Sequence, residues 1–216
     1  MCADYLLNAA EMHYGLCDPC RKGIASFSGR RCSSCGKPLI SERDTCLSCR
    51  NSGQNSYERL WVIFPYEGKY RSLLTAYKFG KNLSLANFFA EKILEVIQTN
   101  PELKDAEIVP VPPRPGKIKE SGWDQVDYLV KQLKNLNKEI NVNRCLERRK
   151  SKVQKRLSRH ERKENLKGRI SLKKKPPEKV LILDDVITTG STIEECSAVF
   201  KKGGAQKVYG LCLFYD

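Results

Sequence analysis

No stretch of this chain approaches the roughly 18 consecutive apolar residues that a membrane-spanning helix needs, so a helical span is excluded and a soluble protein is expected. The opening residues, Met1-Cys2-Ala3-Asp4-Tyr5, lack the basic start of a secretory signal. The expected compartment is therefore the reducing cytoplasm, where ten cysteines read as metal ligands before disulfides. A Walker-type phosphate loop is absent as well: no Gly-x-x-x-x-Gly-Lys-[Ser/Thr] occurs, and no lysine follows Gly190. Acid is the scarcer charge, with 25 Asp and Glu against 39 Lys and Arg, which leaves a formal charge of +14. What is present, 216 residues with 40% hydrophobic content, is enough for one α/β domain with a small appendage.

The positive excess is local. Between Arg144 and Lys179 stand 16 Lys and Arg against 4 Glu, a net of +12 that accounts for nearly all of it. A block of this density attracts polyphosphate or nucleic acid, or stands as a solvated loop.

Cysteine is unevenly spread too. Six of the ten fall in three Cys-x-x-Cys pairs between Cys17 and Cys49, and the composition changes after about Tyr57. That predicts a cysteine-rich domain over 1–56 and a second domain over 57–216. Cys32, Cys35, Cys46 and Cys49 have the spacing C-x₂-C-x₁₀-C-x₂-C, at which four thiolates converge tetrahedrally on Zn²⁺. Metal binding then folds a segment too small for a core of its own. Cys17 and Cys20 form half of a second zinc site, with Cys2 and His13 the nearby soft ligands upstream.

The chemistry-bearing stretch is Val180 to Thr192. An apolar run rich in β-branched residues ends at Asp184, which predicts a buried parallel strand over 179–184. Asp184 and Asp185 then stand at its carboxyl end, where open α/β sheets bind ligands. Beyond Ile187, the hydroxyls and N–H groups of Thr188, Thr189, Gly190, Ser191 and Thr192 can line one concavity, at the positive end of a helix predicted over 192–202. Such a turn cradles phosphate. The two carboxylates beside it suit vicinal hydroxyls, or a Mg²⁺ that bridges to diphosphate oxygens. A phosphorylated sugar is the implied ligand.

Around this stretch, strands are predicted over 60–66, 108–111, near 140–142 and over 207–215. Apolar residues at helical spacing run through Leu73, Leu74 and Tyr77, then Phe88, Phe89, Ile93, Leu94 and Ile97, and an amphipathic helix is predicted over 123–136. Pro110, Pro112 and Pro113 stiffen the loop after the second strand. This alternation predicts a mainly parallel sheet with helices on both faces. Tyr57, Trp61, Tyr66 and Tyr70 either stack bases or belong to the core.

Residues 180–192 resemble the phosphoribosyl-pyrophosphate motif of type I phosphoribosyltransferases: four apolar residues, two acids, then a Thr/Gly/Ser turn. The wider order is similar to that of the ComF competence-protein family. Its marks here are Gly-Leu-Cys-Asp-Pro-Cys from Gly15, Arg-Cys-Ser-Ser-Cys-Gly-Lys-Pro-Leu from Arg31, Tyr-Glu-Gly-Lys-Tyr-Arg-Ser-Leu-Leu-Thr-Ala-Tyr-Lys-Phe from Tyr66, Val-Pro-Val-Pro from Val109, and Gln154, Leu157, Arg162 and Asn165. Two features depart. Ser-Gly-Trp-Asp-Gln stands at 121–125 where members carry Arg-Gly-Phe-Asn-Gln, and the first Cys-x-x-Cys of the family's double zinc ribbon is missing.

The resemblance implies a type I phosphoribosyltransferase-like sheet behind a zinc ribbon, binding of phosphoribosyl pyrophosphate with Mg²⁺, and handling of single-stranded DNA in natural competence beside a helicase or other DNA-processing proteins. Within that frame, 188–192 hold the 5-phosphate and Asp184 and Asp185 the ribose hydroxyls. Lys78, of the Lys-Phe pair, and Arg162 contact diphosphate or DNA. Transfer of the ribosyl group to a nucleobase or amine, and non-catalytic sensing, stay open as alternatives. Thr188 occupies the place where purine-salvage transferases commonly carry a base-activating Asp.

Overall fold

The computed structural model describes residues 8–24, 29–51, 55–149 and 168–216; Cys2, Gln154, Leu157, Arg162 and Asn165 lie outside them. Three short helices come first: α1 (Ala9–Tyr14), α2 (Asp18–Gly23) and α3 (Leu47–Asn51). There follow β1 (Arg59–Pro65), α4 (Gly68–Lys78), α5 (Leu85–Thr99), β2 (Glu107–Pro110), α6 (Lys117–Ser121) and α7 (Gln125–Leu136). The chain continues through β3 (Leu146–Arg148), β4 (Ile170–Leu172), β5 (Lys179–Ile187), α8 (Ser191–Lys202) and β6 (Lys207–Tyr215).

A wholly parallel sheet forms in the order β1-β6-β5-β2. Its central strands are apolar on both sides, because each face must be covered by helices. On β5, Leu181 and Leu183 face the core built with α4, α5 and α7, whereas Val180, Ile182 and Ile187 face the core built with α8. The α/β class and the two covered faces expected from the alternation are both present. On the first face Phe64 stacks or tilts against Tyr70, Phe88, Phe89 and Phe214 with ring centroids 5.5–6.2 Å apart, each buried ring contributing about 1.5–3 kcal/mol of apolar burial. On the second, α8 lies so close to the sheet that a Cβ on Gly210 would sit 3.1 Å from Ile193 Cγ2 and 2.6 Å from Leu60 Cδ1.

Three expectations change. The motif strand does not stop at Asp184: β6 pairs with it as far as Ile187, while β2 leaves it after Leu183. The segment near 140–142 makes one parallel bridge, Val142 to Ile108, rather than a strand, since Glu139, Asn141 and Asn143 leave it little apolar surface to bury. And an antiparallel ribbon, β3 with β4, forms within the basic block. Its Leu146 and Ile170 join the core under α8, which anchors the ribbon despite the charge around it.

The cysteine-rich segment docks on the open edge of the sheet. Arg31 donates from Nη2 to the Ile63 carbonyl of edge strand β1 at 3.1 Å and from Nη1 to the Gly36 carbonyl at 3.0 Å, so a peptide group that would face water is paired. Burial there brings the Arg31 guanidinium down to about 10. Among the described residues, no helix is long and apolar enough to cross a membrane.

Candidate functional site

Successive residues of a strand point to opposite faces, so the adjacent acids of β5 take different partners, although the Asp185 N–H still donates to Asp184 Oδ1 at 2.8 Å. Asp185 shares the side of Leu181 and Leu183 and lies 7% exposed beneath α4 and α7. Lys78 Nζ, at the end of α4, is 2.9 Å from Asp185 Oδ2, and Gln125 Nε2, at the start of α7, donates to the same oxygen. Gln125 is itself fixed: its carbonyl accepts from Tyr77 Oη at 2.7 Å and its side-chain oxygen from Lys117 Nζ. Lys117 also pairs with Asp124 Oδ2 at 2.6 Å, while Asp124 Oδ1 caps α7 through the N–H groups of Val126 and Asp127 at 3.0 and 2.9 Å. Burial alone would raise the Asp185 carboxyl. The Lys78 ammonium, the Gln125 amide and the Lys117 charge outweigh it and hold Asp185 below the usual carboxylate range.

Asp184 takes the other side, half-buried at the base of a cleft. Burial first, and then the negative charge of Asp185, push its carboxyl well above the ordinary value. The pair therefore carries one well-held charge and one costly one. Arg148, on β3, is half-buried on the same side. Burial lowers its affinity for its proton and the Asp184 carboxylate partly restores it.

The cleft, about 220 Å³ and open to solvent, is lined by Asp184 and by every residue from Val186 to Ile193. Gly190 precedes α8 with φ 76°, a conformation glycine adopts freely. Thr189 Oγ1 and Ser191 Oγ lie 2.7 Å apart, and the Ser191 N–H points to Thr189 Oγ1 at 3.3 Å. The first N–H groups of a helix lack intrahelical partners, and its positive end favours anions. Hydroxyls, amides and one disfavoured carboxylate around a small open cleft can take a phosphate at one end and polyol hydroxyls at the other. Asp185 is already engaged by Lys78 and Gln125, so Asp184 is the carboxylate left to a ligand in the cleft.

At the cysteine cluster, the thiol sulfurs of Cys32, Cys35, Cys46 and Cys49 all lie within 4.8 Å of one another, a set that could hold a metal ion. Cys32 Sγ accepts from the N–H groups of Cys35 at 3.5 Å and Cys46 at 3.3 Å. Burial opposes its thiolate, yet backbone donors from Cys35, Cys46 and Ser34 bring it down to about 7. Cys35 and Cys49 are pushed up, chiefly by burial. Four thiolates can coexist here only around a cation, and a tetrahedral ion of the zinc type suits the set.

Lys78 is thus neither a solvated helix lysine nor in the cleft; it is the ion-pair partner of Asp185. Thr188, Thr189, Gly190, Ser191 and Thr192 all line the cleft with Asp184. Arg162 lies outside the described residues, and the basic-block cation that feels the Asp184 charge is Arg148. Cys17 is buried and Cys20 half-buried, and among the described residues the only ligand-sized group of three or more is the four-cysteine cluster. Tyr57 is buried, and Trp61, Tyr66 and Tyr70 pack against the core. Sequence reasoning missed Lys117 and gave Asp124 and Gln125 no role beyond the departing segment at 121–125; the available signal was Asp124 as an N-cap directly before an amphipathic run.

Competence protein F of Haemophilus influenzae is 30% identical over 203 residues, covering 90% of this chain and 87% of that protein. Competence protein ComFC of Streptococcus pneumoniae is 25% identical over 200 residues, covering 89% and 84%. DNA utilization protein YhgH of Escherichia coli K12 is 28% identical over 208 residues, covering 93% and 90%. No family model matches the chain.

Proposed function

The chain belongs to the ComF competence-protein family, and from that premise we propose that it binds phosphoribosyl pyrophosphate with Mg²⁺ and handles single-stranded DNA during natural competence. One observation carries the sugar-phosphate half: the costly Asp184 carboxylate opens into a hydroxyl-lined turn at the positive end of α8. In this reading 188–192 take the 5-phosphate and Asp184 accepts from a ribose hydroxyl, which relieves its burial among negative charge. Arg148 faces the diphosphate, while Lys78 stays paired with Asp185. Mg²⁺, when bound, offsets diphosphate charge, and Zn²⁺, when bound by Cys32, Cys35, Cys46 and Cys49, holds a zinc-ribbon unit over 1–56 against a phosphoribosyltransferase-like unit over 57–216.

Binding is preferred over transfer to an acceptor, because Asp184 is the one acid among the described residues of the cleft and it is committed to the sugar. The DNA half is supported by the names of the relatives, competence protein and DNA utilization protein, and by the cationic ribbon, where Arg144, Arg149, Lys173, Lys174 and Lys175 are exposed. Filter retention of a labelled single-stranded oligonucleotide tests it. Retention should fall steeply with salt, and changing Lys173, Lys174 and Lys175 to Gln should flatten the slope by about 0.7 for each phosphate that a lysine no longer neutralises. No retention at low salt would refute the DNA assignment.

A further inference from the structure

The short segment joining the cysteine cluster to the sheet is hydrogen-bonded to both candidate sites. Asn55 Nδ2 donates to Ser34 Oγ at 2.6 Å, inside the turn between Cys32 and Cys35. Its neighbour Ser56 gives its N–H to Glu194 Oε1 and Oε2 at 3.2 and 3.1 Å and its hydroxyl to Oε1 at 2.6 Å. Glu194 sits in the first turn of α8, just past the cleft-lining Thr192 and Ile193, and its own N–H bonds to the Gly190 carbonyl at 2.9 Å. Tyr57, 7% exposed, then packs into the core beneath α8.

A carboxylate in the first turn of a phosphate-binding helix has two destinations. Turned to the cleft, it would repel the phosphate; held by charge-assisted bonds to Ser56, it is kept off the cleft while fixing the pitch of the turn. Ser56 is tied in turn to the cysteine turn through its neighbour Asn55, and the shape of that turn would depend on an ion held by the four cysteines.

We infer that Ser56 and Glu194 are positioning residues for the phosphate turn, and that metal occupancy of the cysteine cluster and sugar-phosphate binding are energetically coupled through them. This rests on the reading of the turn proposed above. Coupling of this kind is reciprocal: whatever factor the metal adds to ligand affinity, the ligand adds to metal affinity.

The test uses the full chain loaded with zinc. Phosphoribosyl pyrophosphate with Mg²⁺ is titrated calorimetrically before and after a zinc-selective chelator, and zinc affinity is measured by chromophoric chelator competition with and without the ligand. Zinc removal should weaken ligand binding roughly tenfold, and ligand should tighten zinc by the same factor. Ser56→Ala should keep bound zinc and the wild-type unfolding temperature to within a few degrees yet lose both effects, whereas Ser56→Thr, which keeps the hydroxyl, should retain them. The zinc competition starts from zinc-loaded protein, and its comparison of Ser56→Ala with wild type separates coupling through this segment from unfolding of the stripped chain, which would act equally in both. Equal zinc affinity with and without ligand, or full coupling in Ser56→Ala, overturns the inference while the binding site stands. No ligand heat in the zinc-loaded wild type overturns the binding site itself, and the inference with it.

Discussion

Replacing Lys78 by Met would leave Asp185 with its Gln125 donor but without its cation. At 2.9 Å and an effective dielectric of about 20, the attraction is about 6 kcal/mol before desolvation is counted. The Asp185 side chain is 9% exposed and that of Lys78 30%. The pair therefore falls between exposed pairs, worth about 0–1 kcal/mol, and fully buried ones, whose disruption costs about 3–5 kcal/mol. A loss of about 2 kcal/mol follows, or about 4–8 °C in Tm for a chain of this size. Asp185 is held below the usual carboxylate range in the folded state. Its contribution is thus complete above the unfolded value near pH 4 and is lost as pH falls through the depressed folded value. The gap between wild type and Lys78→Met should accordingly narrow in acid. Lys78→Met with Asp185→Asn should recover at least half the loss, because no unpaired charge stays buried. Thermal unfolding followed by circular dichroism from pH 3 to pH 8 checks all three. A Tm shift under about 1 °C, a gap unchanged in acid, or strictly additive losses would refute the assignment of Asp185 as a structural, cation-held carboxylate.

The opposite sign is expected at its neighbour. Asp184 is pushed up by burial and by Asp185, so the folded state favours its protonated form and loses stability as pH rises through that raised value; Asp184→Asn should raise the Tm of the ligand-free protein at pH 8 while weakening phosphoribosyl pyrophosphate at least tenfold. Gly190→Ala meets no close atom, its nearest neighbour being Ile187 Cδ1 at 3.7 Å, and should still cost about 1–2 kcal/mol for an L-residue at positive φ, seen as a lower urea midpoint. Cys46→Ser should lose bound zinc by metal analysis, whereas Cys212→Ser, in the sheet core, should keep it.

The parallel sheet was legible because residues 180–183 of β5 and 208–215 of β6 are apolar runs, and α7 because its apolar residues recur at helical spacing. The turn at 188–192 was legible because Gly and hydroxyl residues after two acids have few other uses. What stayed hidden is relational. That Asp184 lines the cleft while Asp185 is held by α4 and α7 depends on elements brought together from far along the chain. The partnership of Lys78 with Asp185 spans 107 residues and that of Ser56 with Glu194 spans 138, and no local pattern announces either. The β3–β4 ribbon was masked by the charge around it, since Leu146 and Ile170 are brief apolar islands in a basic stretch.

The most direct test of the central claim is calorimetry of phosphoribosyl pyrophosphate with Mg²⁺ against the zinc-loaded full chain, repeated with Asp184→Asn and in the presence of a single-stranded oligonucleotide. The predicted result is saturable heat at one site per chain, lost in Asp184→Asn. Flat heats in the wild type, or equal affinity in the variant, would contradict the account.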